Sequence, residues 1–163
     1  MQRSGICWSV VLSGFFFLAG CGGTTEVPEG QEAVYPVKGT VLYNGQPVAD
    51  ATISLHSEGK PGSFARTDSS GNFAVNTYAE GDGAPAGTYT LTVTKMVDVN
   101  AGEASDKIDA VRAPAKYESQ VPEYLSKKET SGLKVTIPAD ATSVLQLTLA
   151  DGEGASKVEQ STE

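Results

Sequence analysis

The stretch Gly87-Thr88-Tyr89-Thr90-Leu91-Thr92-Val93-Thr94 decides the fold. Tyr89, Leu91 and Val93 alternate with Thr88, Thr90, Thr92 and Thr94, a period of two that puts bulky apolar groups on one face and threonines on the other. That is the signature of a half-buried strand, and the turn residues Pro85 and Gly87 launch it. The same period recurs outward in both directions. Val37, Val41 and Tyr43 alternate with Lys38, Thr40 and Leu42 up to the turn Asn44-Gly45. Ile53 and Leu55 alternate with Thr52, Ser54 and His56, and Phe64 and Phe73-Val75 flank the turn Asp68-Ser69-Ser70-Gly71. Leu133, Val135 and Ile137, then Leu145, Leu147 and Leu149, close the series. About seven short strands separated by turn residues predict an all-β sandwich with one face of each sheet inward. No window gives a ten-residue amphipathic helix; Glu103 to Val111 has room for a turn or two.

Upstream of the first strand the character changes. Met1 to Gly20 carries Arg3 and then an apolar run, Ile6 to Leu18, of 13 residues. A bilayer-spanning helix needs about 20, so the run reads as the apolar region of a signal peptide. It ends in Leu18-Ala19-Gly20-Cys21, where the small Ala19 and Gly20 let a peptidase hold the extended backbone closely. This resembles the lipobox of bacterial lipoproteins. The resemblance implies recognition of Leu18, Ala19 and Gly20 by the signal peptidase, cleavage before Cys21, a diacylglycerol on the Cys21 thiol and acylation of its new amino group. An ordinary secretory leader with a chance cysteine is the alternative. Two or three acyl chains, at ~0.8 kcal/mol per buried methylene, hold a protein to a membrane almost permanently. Gly22, where some bacteria place a retaining Asp, favours the outer of two membranes over the cytoplasmic one.

Composition fits an exported domain. The chain has 163 residues, 12 basic and 20 acidic, for a formal net charge of -8. Loss of Arg3 leaves 11 basic residues and −9. An acidic chain lacks the basic face that nucleic acid requires. Of its two cysteines, Cys7 departs with the leader and Cys21 becomes a thioether, so no disulfide is expected. The division is 1–20 signal peptide, 21–33 lipidated tether, 34–150 β-sandwich and 151–163 disordered acidic tail. The tether is rich in Gly, Thr and Glu, and a coil of about 12 residues spans roughly 20 Å. Residues 97–129 form a long irregular piece, functional or packed along a sheet edge. Tyr117, Val121, Tyr124 and Leu125 are expected to anchor it over the core, while Pro114 and Pro122 prevent ladder pairing there.

Three further pieces occur in a recognisable order: Gly39-Thr40-Val41-Leu42-Tyr43-Asn44-Gly45-Gln46-Pro47-Val48-Ala49-Asp50-Ala51-Thr52-Ile53, then Thr67-Asp68-Ser69-Ser70-Gly71-Asn72-Phe73, then Ala84-Pro85-Ala86-Gly87-Thr88-Tyr89. Together they resemble the carboxypeptidase regulatory-like domain, a transthyretin-like seven-stranded β-sandwich, over Tyr35 to Val93. Ala113-Pro114-Ala115-Lys116-Tyr117 and Thr130-Ser131-Gly132-Leu133-Lys134-Val135 look like the short planctomycete-type lipoproteins that carry this domain, with a longer spacer, Glu118 to Glu129. The resemblance implies a fold and an accessory or adhesion-like role, and no chemistry.

The residues themselves point the same way. His56 is the only histidine and falls on an outward strand position. No nucleophile elbow, zincin motif, phosphate loop or dinucleotide fingerprint is present. No cofactor or metal and no catalytic residue is expected. Asp98, Glu103, Asp106 and Asp109, or Asp68 with Asn72, supply oxygens of the kind Ca²⁺ uses, but not in an EF-hand spacing. Tyr78 and Tyr124 are candidate platforms for a sugar. The expectation is therefore a non-catalytic, membrane-anchored envelope protein serving interaction or architecture, with an envelope protein or glycan as possible partner. The alternative is a glycan- or Ca²⁺-binding module.

Overall fold

The computed structural model describes residues 29–99 and 116–163. Along them run β1 Val34–Tyr35, β2 Val37–Tyr43, β3 Gln46–Pro47, β4 Thr52–His56, β5 Ser63–Arg66, β6 Asn72–Ala74, β7 Ala84–Pro85, β8 Gly87–Thr94, β9 Met96–Asp98 and β10 Tyr117–Ser119. A 3-10 turn, Glu123–Ser126, precedes β11 Leu133–Ile137, β12 Ser143–Leu149 and β13 Lys157–Thr162.

Two sheets make the sandwich. One runs β11-β8-β4-β5, antiparallel throughout; the other runs β13-β12-β2-β3, with β6 also on β2. β12 lies parallel to β2, in register from Ser143 opposite Val37 to Leu149 opposite Tyr43. The inward sets are those the alternation marks. Ile53, Leu55, Tyr89, Leu91, Val93, Leu133, Val135 and Ile137 face Val37, Val41, Phe73, Leu145, Leu147 and Leu149, all buried. At about 1.5–3 kcal/mol for each fully buried large apolar side chain, this core is the main favourable term. The all-β fold class is therefore as expected.

Both long sides of the sandwich are stitched. On one, Phe64 and Asn76 exchange backbone hydrogen bonds of 3.0 and 2.8 Å, so the chain beyond β6 crosses to the other sheet. On the other, the Gln160 amide on β13 donates to the Thr136 carbonyl on β11 at 2.7 Å. The two contacts tie β5 and β11, the edge strands of the four-stranded sheet, to the other sheet. The Asn44-Gly45 turn takes positive φ at both residues, 48° and 80°, as a tight hairpin with the strand twist requires.

Three expectations are corrected. The tail 151–163 is not disordered: Lys157–Thr162 forms β13, in antiparallel register with Thr148 back to Ser143. An edge strand needs only a backbone ladder, which polar side chains do not hinder, and Val158 packs against the core. Asp151 opens this segment as an acceptor from the Tyr43 hydroxyl at 2.6 Å and the Asn44 amide at 3.3 Å. Second, the 97–129 piece is partly regular, since β9 and β10 pair with Tyr117 opposite Asp98. Third, Tyr117 is 60% exposed and does not pack over the core, whereas Val121 and Leu125 are buried and Tyr124 is half-buried, as expected of anchors. Pro122 sits at the start of the 3-10 turn. Glu103 to Val111 and Pro114 lie outside the described residues.

The register assigns the two ends. At one, β1 pairs with β7 and Gly87 lies opposite Ile137, so the chain enters the domain there. At the other, Thr52 lies between Thr94 and Arg66, and the antiparallel β9–β10 pair continues beyond β8. The 3-10 turn plugs this second end, where Leu125 is fully buried and the Tyr124 hydroxyl donates to the Ala150 carbonyl at 2.7 Å.

Candidate functional site

The end at which the chain enters gathers more specific contacts than any composition suggests. Glu32, just before β1, donates its backbone N–H to the Tyr78 hydroxyl at 3.0 Å. Its carboxylate accepts from the Lys60 ammonium at 2.8 Å. The Lys60 stem crosses Gly87, where a β-carbon would stand 2.8 Å from Lys60 Cε. Beneath this clamp the Tyr89 hydroxyl donates to the Pro85 carbonyl at 2.8 Å. Burial, helped by the nearby negative charge of Glu32, pushes that phenol up to about 12.

Asp82 organises the adjacent loop. Its carboxylate accepts the backbone N–H groups of Thr77, Tyr78 and Ala79 at 2.7, 2.8 and 2.9 Å. Burial alone would raise its pKa, but those three amides outweigh it and hold the carboxyl below its ordinary value. The loop therefore presents Tyr78 on a fixed backbone. Tyr78 and Phe64 share the walls of a hollow of about 420 Å³ with Asn76, Thr77, Ala79 and Glu80.

A larger open groove of about 610 Å³ lies on the outer face of the four-stranded sheet, walled by His56, Glu58, Lys60, Thr88, Thr90 and Lys128 among others. His56 is exposed, as expected, and its Nε2 lies 3.0 Å from Thr92 Oγ1. The groove offers hydroxyls, one imidazole and charges of both signs. Such a lining suits polar ligands, and it contains no nucleophile hydrogen-bonded to a base that is itself oriented by an acid.

Asp68 caps its turn, accepting the amides of Ser70 at 2.8 Å and Asn72 at 2.9 Å. The Asn72 amide is the largest cause holding its carboxyl below the ordinary value. Among the described residues no group of three His, Cys, Asp or Glu is placed to share a metal ion. Asp98 stands on β9, and Glu103, Asp106 and Asp109 lie outside the described residues, as do Leu18, Ala19, Gly20 and Cys21. Of the two candidate tyrosine platforms, Tyr78 is 39% exposed, whereas Tyr124 is half-buried with its hydroxyl spent on Ala150. The Glu32–Lys60 pair, 28 residues apart, has no linear signature. The Asp82 loop does have one: Asp82 stands between Gly81 and Gly83, a turn sequence in which an aspartate caps nearby amides.

No family model, curated protein or solved structure matches the chain.

Among the described residues no helix is long and apolar enough to cross a membrane.

Proposed function

We propose that the protein is a non-catalytic lipoprotein of the bacterial envelope, held to a membrane by lipid on Cys21, with a carboxypeptidase regulatory-like sandwich as an interaction or structural module. One observation carries this reading: the apolar run Ile6 to Leu18 ends directly in Leu18-Ala19-Gly20-Cys21. The clamp on Glu32 supports it, because a tether pulled from Cys21 would load the domain at a point already tied by an ion pair and a hydrogen bond. The non-catalytic part is supported by the lone imidazole, whose near neighbour is a threonine hydroxyl.

The test is fractionation of cells expressing the full chain. Wild type is expected with membranes and labelled by radioactive fatty acid; Cys21→Ser is expected unlabelled and soluble, or retained by an uncleaved leader. Equal labelling of both would overturn the reading.

The groove beside His56 favours a glycan as the second reading, since threonine hydroxyls and paired charges match sugar hydroxyls. Retention on immobilised envelope polysaccharide that is lost in Thr90→Val would support it.

A further inference from the structure

We propose that the domain seats itself on the bilayer through Phe64 and Tyr78, beside the point from which its N-terminal segment departs. This rests on the lipid-anchor reading of Cys21 and adds to it an orientation.

Five large hydrophobic side chains are exposed among the described residues. Met96 and Tyr117 lie in the β9–β10 pair and Val99 directly follows β9, beyond the second end of the sandwich. Phe64 and Tyr78, 54% and 39% exposed, share one hollow beside the tether. The Tyr78 hydroxyl itself accepts the Glu32 N–H, so the aromatic pair stands next to the point where the chain leaves.

Tether length does the rest. Glu32 is 11 residues from Cys21. A coil of that length averages under about 20 Å and can never exceed about 40 Å. With acyl chains on Cys21, Glu32 and the Tyr78 tied to it stay within tether reach of the headgroups, and the β9–β10 pair lies farther off. A contact too weak to recruit a free protein becomes populated at the high effective concentration that a short tether provides. Aromatic rings, tyrosine above all, favour the membrane–water interface, with the ring in the apolar boundary and the hydroxyl in the headgroups.

Charge identifies the kind of surface. Lys60 is engaged by Glu32, Asp82 is held by three amides, and Glu80 is exposed beside Tyr78. No basic excess is available to draw anionic lipid, so the contact is apolar, fits zwitterionic headgroups and is insensitive to salt.

The chain's only tryptophan, Trp8, precedes Cys21 and leaves with the leader, so an indole placed by substitution is a lone reporter. Lipidated full-length product carrying Phe64→Trp, Tyr78→Trp or Met96→Trp is reconstituted into phosphatidylcholine vesicles with brominated acyl chains. The expected result is blue-shifted, quenched emission at positions 64 and 78, unchanged by salt, with no quenching at 96. Tyr78→Ser in the Phe64→Trp background should weaken the quenching. If the protein does not float with vesicles at all, the anchor reading fails and the docking falls with it. If it floats but positions 64 and 78 are quenched no more than 96, the docking alone is overturned. Two tryptophan positions guard against one substitution that fails to fold.

Discussion

The ring of Phe73 closes over the α-carbon of Gly39, its Cζ 2.8 Å from where a β-carbon would stand. Gly39 lies in β2 between β12 on one side and β6 on the other, opposite both Leu145 and Phe73. On the β12 side, the Leu145 carbonyl fills the same space from the backbone. Gly39→Ala is therefore expected to cost about 1–3 kcal/mol, the range for overpacking a core, read as a lower urea midpoint with unchanged slope. Phe73→Ala in the same chain should not rescue it, because the Leu145 carbonyl remains. Full rescue would show that the ring alone sets the limit.

The Asp82 carboxylate holds three consecutive amides, an arrangement equivalent to a helix N-cap. Asp82→Ala is expected to lose about 0.5–2 kcal/mol and to raise amide exchange at Thr77, Tyr78 and Ala79, with Asp82→Asn intermediate. An unchanged exchange pattern would mean that the loop is set by other contacts.

The acid limb of stability follows from Asp68, Asp82 and Asp151, each with a folded pKa below its ordinary value of 3.8. A depressed folded pKa contributes stability that is present above the unfolded pKa and lost as pH falls through the folded one. These three groups should therefore leave stability level from pH 7 to about 5 and lower it below about 4. Replacing all three with Asn should flatten that fall in urea titrations at successive pH values.

The strands legible in the sequence are those with one inward and one outward face, such as Thr88 to Thr94, because a buried face forces the period of two. Two-residue pairings such as β3 and β7 have no period to see. β13 shows no such period because Glu159, Gln160, Ser161 and Thr162 are all exposed and Val158 alone packs on the core. The parallel union of β2 with β12 joins segments about a hundred residues apart, and no local pattern encodes that distance. The candidate site divides the same way. Leu18 to Cys21 is a linear motif and readable as such. Glu32, Lys60, Tyr78 and Gly87 become neighbours only once the sandwich closes.

Tyr89 offers an alkaline counterpart. Its folded pKa, pushed up to about 12, lies above the ordinary 10.0. A raised folded pKa contributes stability present below the unfolded value and lost as pH rises through the folded one, here between about 10 and 12. Absorbance titration at alkaline pH should show one phenol ionising last and together with unfolding. Tyr89→Phe removes that step and leaves the Pro85 carbonyl without its donor, at a cost of about 1–2 kcal/mol at neutral pH.

Removal of residues 151–163 separates a strand from a tail. Because β13 pairs with β12 from Ser143 to Thr148, truncation after Ala150 strips that antiparallel partner and uncovers the core beside Val158. Six ladder residues gain hydrogen bonds worth roughly 1 kcal/mol each, but ordering their backbone costs about as much, so the net loss comes mainly from side-chain packing. A drop of about 2 kcal/mol is expected, with faster amide exchange along β12 and a rise in self-association through its newly bare edge. Val158→Asp in the intact chain should reproduce much of the stability loss and little of the self-association, because the ladder is kept. A truncated chain as stable as the whole would mean that the C-terminal segment does not hold the sandwich, and that its pairing with β12 contributes nothing measurable.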